Sequence, residues 1–150
     1  QHMPPNFTAS LAARLDAASR LTIREAADGE RPSPGVALLA PGGRHMRLHG
    51  GRVELSDEPP IGALRPRADL TIADVAREHG RHTILVVLTG MGSDGLEGAR
   101  AVRAAGGRVI VEDESTCTVF GMPRAIESAG LADVVAPLHE IAGVLIEEAA

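Results

Sequence analysis

The chain has 150 residues and a net charge of −5, from 20 acidic and 15 basic side chains, so it lacks the basic footprint of a general nucleic-acid binder. Its 44% hydrophobic content belongs to a globular chain able to bury a core, and its only aromatics, Phe7 and Phe120, leave that core to Val, Ile, Leu and Ala. One cysteine, Cys117, excludes an intramolecular disulfide and a cysteine-based zinc cluster. With no apolar run near the roughly eighteen residues of a membrane span and no secretory signal, the expectation is a soluble cytoplasmic protein.

Thr8–Ala18 has helical spacing, with Leu11 and Leu15 four apart and Asn6 or Thr8 available as N-cap. Leu21–Glu25 alternates like a strand, turn residues follow at Asp28-Gly29 and Pro32–Gly35, and Val36–Ala40 is a short apolar strand stopped by Pro41-Gly42-Gly43. Met46–Leu48 and Val53–Leu55 flank His49–Arg52 as a hairpin, and the prolines of Asp57–Pro66 make a loop. Asp69 caps a helix that runs to His79 and stops at Gly80.

Ile84–Leu88 is a continuous apolar strand, as expected for a parallel strand buried on both faces. After the Gly-rich turn Thr89–Gly95 come a helix over Leu96–Ala105, a strand over Arg108–Val111, a short helix over Pro123–Ser128, a strand over Asp133–Val135 and a closing helix over His139–Ala149. This alternation predicts a three-layer α/β/α fold, a mostly parallel doubly wound sheet with a β-hairpin excursion. With neither an internal repeat nor a linker, residues 1–150 are expected to form one domain.

The turn Thr89-Gly-Met-Gly-Ser-Asp-Gly95 lies at the carboxyl end of a strand, where ligands and chemistry gather in open α/β sheets. Gly90, Gly92 and Gly95 fit the dinucleotide pattern G-x-G-x-x-G, with Glu112 and Asp113 near the end of the next strand as candidate ribose ligands. Against that stands Asp94, a negative charge where a pyrophosphate needs bare amides. Two other roles fit Asp94: a plain helix cap, or the carboxylate that orients a histidine for acyl transfer. The spacing alone leaves all three open, and it does not select His2 as the histidine.

Two longer segments carry a family resemblance. Leu88-Thr-Gly-Met-Gly-Ser-Asp-Gly95 and Ser115-Thr-Cys-Thr-Val-Phe-Gly-Met-Pro-Arg124 are similar to the signature pair of the chemotaxis protein-glutamate methylesterase (CheB-type) catalytic domain. Gln1-His-Met-Pro-Pro-Asn-Phe-Thr8 resembles the histidine segment of that family, and Ala40-Pro-Gly-Gly-Arg-His-Met46 a further block. The resemblance implies hydrolysis of γ-glutamyl methyl esters, and deamidation of glutamine, on methyl-accepting chemoreceptor helices. It implies a Ser-His-Asp triad with no cofactor and no metal, and neither nucleic-acid binding nor membrane insertion.

Carried over by residue, His2 becomes the general acid/base and Asp94 its orienting partner. The backbone of Met91 comes beside the oxyanion, and Phe120, Met122 and Arg124 line the substrate groove with Arg124 toward an acidic helix. An ordinary loop-to-helix junction with Pro123 in the first helical turn fits the last segment equally. No serine here matches the family's Gly-rich nucleophile turn, and no receiver domain is expected. The nucleophile is therefore expected upstream, and the chain alone is expected to be inactive. A receptor-binding remnant without catalysis stays open. Cys117 is expected to be a small buried hydrophobe.

Overall fold

The computed structural model describes residues 1–150. Two compact units divide the chain, Gln1–Asp74 and Val75–Ala150. No helix is long and apolar enough to cross a membrane.

In the first unit, helix α1 (Phe7–Ala18) packs against strand β1 (Thr22–Glu25), which pairs in parallel with β2 (Val36–Leu39). Strands β3 (His45–His49) and β4 (Arg52–Ser56) form the expected hairpin. Its two-residue loop, Gly50-Gly51, has φ of +57° and +68°, the left-handed backbone that tight hairpin turns require and glycine adopts most cheaply. Helix α2 (Ala68–His79) follows, and the division between the units falls within it.

Polar side chains hold this unit together. His45, wholly buried, has Nε2 3.2 Å from the Pro59 carbonyl while Nδ1 accepts the Arg67 amide at 3.2 Å, an arrangement that places the proton on Nε2. Asp74, also wholly buried, takes the Arg47 guanidinium through Nε and Nη2, and accepts the Leu48 amide at 3.2 Å. The same hydrogen bonds to Asp74 raise the Arg47 pKa above the ordinary arginine value. A bidentate ion pair thus ties Asp74 on α2 to the hairpin.

Neither residue proposed to cap α1 does so. Asn6 stands at the cap position with φ of +73° and no side-chain cap bond. Thr8 lies inside the helix, buried, with its hydroxyl accepting the Gly42 amide at 2.9 Å and donating to Glu25. Tertiary partners thus outcompete the local cap. Asp69 lies one residue inside α2 and pairs with Arg67 at 2.8 Å.

In the second unit, β5 (Ile84–Val87), β6 (Arg108–Glu112) and β7 (Val134–Ala136) form a parallel sheet in the order β5-β6-β7. Helices α3 (Leu96–Ala104) and α4 (Met122–Ser128) make the two crossovers and pack on each other, while α5 (Leu138–Ala149) also packs on the sheet. Successive right-handed crossovers in one direction put α3 and α4 on the same face. Val109, Ile110 and Val111 on β6 are all fully buried, so both faces of the sheet are covered. This is the expected three-layer α/β arrangement, with each such aliphatic side chain contributing about 1.5–3 kcal/mol of burial.

Gly107 lets β6 start close to its neighbours: a Cβ there would lie 2.6 Å from the Thr83 carbonyl oxygen and 2.8 Å from Val102 Cγ1. The end of α5 is tied to the sheet by Arg108, whose Nε and Nη2 reach Glu148 at 2.7 and 2.8 Å. That pairing lowers the Glu148 pKa and raises the Arg108 pKa.

Candidate active site

The site turn begins where β5 ends. The Thr89 amide donates to Glu112 Oε2 at 2.7 Å, and the Thr89 hydroxyl accepts the Val119 amide at 2.8 Å. The Gly90 amide donates to the Val119 carbonyl at 3.0 Å, and the Gly90 carbonyl accepts the amides of Gly121 and Met122 at 3.1 and 2.8 Å. The two signature segments, far apart in sequence, are therefore laced together through their backbones. The lacing needs glycine on both sides. A Cβ on Gly90 would lie 2.5 Å from Met122 Sδ, and one on Gly121 would lie 2.7 Å from the Gly90 carbonyl oxygen. Met122 is accordingly packed beneath the turn.

Beyond Gly90 the turn emerges and then dives. Met91 is 83% exposed, whereas Asp94 is only 3% exposed. Gly92 and Gly95, at φ of +85° and +95°, supply the left-handed steps that this path requires. The buried Asp94 carboxylate accepts the Gly95 amide at 3.0 Å, and Gly95 itself occupies the N-cap position of α3. Asp94 stands one residue before that position, with its carboxylate buried.

The same hydrogen bonds remove support from a dinucleotide fingerprint. The amides of Thr89, Gly90 and Gly95 already have protein acceptors. Glu112, the candidate ribose ligand, is 1% exposed and spends both oxygens on Thr89 and Thr116. Asp113 accepts the Ser115 amide and hydroxyl, which lowers its pKa.

Phe120 and Arg124 border a shallow groove of about 470 Å³ with Glu114, Glu127 and Ser128, and a second groove with Gly92 and Gly121. Arg124 is exposed at its position on α4, and Pro123, buried in the first turn of that helix, fixes where the helix starts. Cys117 is partly buried rather than fully so; burial, with the negative charges nearby, raises its thiol pKa, the opposite of what a nucleophilic thiolate requires.

His2 belongs to the first unit, half-buried in the stretch leading to α1. That stretch is seated on Pro41-Gly42-Gly43. A Cβ on Gly42 would lie 2.5 Å from the Met3 carbonyl oxygen, and one on Gly43 would lie 2.6 Å from Pro5 Cγ. The glycines there thus serve close backbone approach, which holds the histidine segment. Two organising residues had no role from sequence: His45, a family-like histidine whose work is structural, and Thr116, which bonds Glu112. Glu112 itself was weighed only as a ribose ligand. Its position at the end of the apolar run Val109-Ile-Val111 was the available signal, since an acid there must be buried and paired.

Comparison with known proteins matches this geometry to one family. Residues 1–145 match the family model described as CheB methylesterase. A protein of Moorella thermoacetica named protein-glutamate methylesterase/protein-glutamine glutaminase is 51% identical over 97% of this chain and 36% of its own length. In Pseudomonas aeruginosa, a protein named protein-glutamate methylesterase/protein-glutamine glutaminase 2 is 45% identical over 100% of this chain and 44% of its own. The crystal structure of the Thermotoga maritima CheB methylesterase catalytic domain superposes with a TM-score of 0.93 at 48% identity, covering 98% of this chain and 80% of that one. The chain spans about two-fifths of the length of the curated relatives it matches. With its two signature segments laced around a buried aspartate, and with matches of this extent, the chain belongs to the CheB methylesterase family.

Proposed function

We propose that this chain supplies the histidine and aspartate of a cytoplasmic protein-glutamate methylesterase that also deamidates glutamine, acting on chemoreceptor helices. The observation that carries it is Asp94: a buried carboxylate beyond the carboxyl end of a parallel strand, on a glycine-rich turn laced to the second signature segment. In this role Asp94 holds the His2 imidazole in one tautomer and stabilises the imidazolium. The nucleophilic serine comes from sequence preceding Gln1.

In the first half-reaction the serine oxygen attacks the γ-ester carbonyl and its proton passes to His2. The proton then leaves with methanol as the acyl-enzyme forms. In the second, His2 takes a proton from water as the water oxygen attacks the acyl carbonyl. The bond to the serine oxygen then breaks, glutamate leaves, and the proton passes from His2 back to the serine. The exposed Met91 backbone lies beside the developing oxyanion, where an aimed amide is what matters and the side chain is secondary. Phe120 and Arg124 face the receptor helix, Arg124 meeting its acidic residues, while Met122 supports the turn from below.

Methanol release from a methylated receptor tests the proposal. The full-length protein turns over, residues 1–150 alone do not, and Asp94→Asn in the full-length protein loses on the order of 10⁴-fold in turnover with a nearly unchanged melt. Full activity of Asp94→Asn would overturn the assignment. Receptor binding without methanol release by the full-length protein would point instead to a non-catalytic docking role.

A further inference from the structure

We infer that Glu112 is a positioning residue for the reaction, a buried clamp that fixes the turn carrying Met91 and Asp94 against the segment carrying Phe120. It rests on the proposed role of Asp94 and adds a group that the triad does not use. Glu112 is 1% exposed at the carboxyl end of β6, the central strand of its sheet. A carboxylate so buried needs partners for both oxygens. Oε2 accepts the Thr89 amide at 2.7 Å, at the first residue of the site turn. Oε1 accepts the Thr116 hydroxyl at 3.0 Å, in the segment that runs on to Phe120. Thr116 Oγ1 in turn accepts the amide of Leu138, the first residue of α5, at 2.9 Å.

One side chain thus joins the ends of β5 and β6, the 113–121 segment and the start of α5. The other bonds between the two signature segments join Thr89 and Gly90 to Val119, Gly121 and Met122. Without the Glu112 bonds the turn loses its tie to the end of β6 and to Thr116. Asp94 lies five residues along this turn, and displacement of a catalytic group by about 1 Å costs on the order of 10²-fold. The clamp needs an acceptor facing Thr89 and a hydrogen-bonding atom facing Thr116. Glutamine meets both needs, since Thr116 can redirect its hydroxyl to the Asp113 carbonyl, already 3.4 Å away.

The experiment is steady-state methanol release by the full-length protein across pH, for Glu112→Ala, Glu112→Gln, Thr116→Val and Asp94→Asn, alongside their melts. Expected for Glu112→Ala is a loss of about 10²-fold in kcat with little change in KM. The acid limb of its pH profile should also move to lower pH, because a displaced Asp94 stabilises the imidazolium less. Thr116→Val should lose less than Glu112→Ala, and Glu112→Gln should recover most of the turnover. Variants that melt lower yet keep wild-type kcat and pH profile well below their melts would reduce Glu112 to a fold-stabilising residue and overturn the inference. Should Glu112→Ala not fold, Thr116→Val decides between these outcomes. If Asp94→Asn loses activity while Thr116→Val and Glu112→Ala keep theirs, only the clamp fails. If Asp94→Asn is fully active, the proposed function fails with it.

Discussion

In the Val75–Ala150 unit the largest fully buried side chains are mainly aliphatic: Ile110, Ile126, Val102, Val109 and Val111. In the Gln1–Asp74 unit they are His45, Thr8 and Asp74, each engaged in hydrogen bonds, beside buried apolar residues such as Ala12, Leu48 and Val53. The first kind of interior is non-directional and tolerates exchange of shape. The second is directional, and removing one partner leaves a buried polar group stranded. Each unit also carries one of the proposed catalytic residues by its own means. Asp94 is set by a parallel strand end and a glycine lock, and His2 by a segment seated on Pro41-Gly42-Gly43.

The sharpest way to break this contrast is at Asp74. Asp74→Ala strips the buried carboxylate from the half-buried Arg47 and leaves the Leu48 amide without its acceptor, and should cost about 1–3 kcal/mol, the range for a buried donor left unsatisfied. Chemical denaturation measures it, and a cost below about 1 kcal/mol would show that the first unit is held mainly by its apolar contacts. Ile110→Val in the second unit should cost only about 0.5–1.5 kcal/mol, because the surrounding aliphatic packing adjusts to one lost methylene. A larger loss there than for Asp74→Ala would reverse the comparison.

Smaller effects sharpen it further. Glu148 has a depressed pKa because it is paired with Arg108, so the pair adds stability above the ordinary glutamate value of 4.5 and loses it as pH falls through the depressed value. Glu148→Gln should therefore melt below the parent at neutral pH and converge with it in acid. A constant gap at every pH would indicate lost packing and not lost charge. At Cys117 the raised thiol pKa predicts alkylation by iodoacetamide, at mildly alkaline pH, slower than that of a free cysteine peptide. Faster alkylation would mean a reactive thiol beside the site.

The second unit was nearly transparent in sequence for the same reason that its core is tolerant. Ile84–Leu88 is an apolar run leading into a Gly-rich turn, Arg108–Val111 follows Gly106-Gly107, and both became parallel strands within a residue of their expected limits. The first unit's strands were also legible, but its fastening was not. Nothing local in the sequence indicates that Thr8 will bond Gly42 instead of capping α1, or that His45 will be sealed between Pro59 and Arg67. Those partners are distant in the chain, and polar residues with local capping alternatives are decided by tertiary contacts. At the site, the turn and its buried acid could be read from the motif. What weighs against a nucleotide turn is that the amides of Thr89, Gly90 and Gly95 and both oxygens of Glu112 already have protein partners, which the sequence does not indicate.

A kinetic double-mutant cycle tests the central claim most directly: methanol release by the full-length protein carrying His2→Ala, Asp94→Asn, or both. Residues that act as one catalytic unit are strongly non-additive. The account predicts that each single substitution costs on the order of 10⁴-fold and that the double costs little more than the worse single. Losses that multiply, or an Asp94→Asn enzyme with parental turnover, would contradict it.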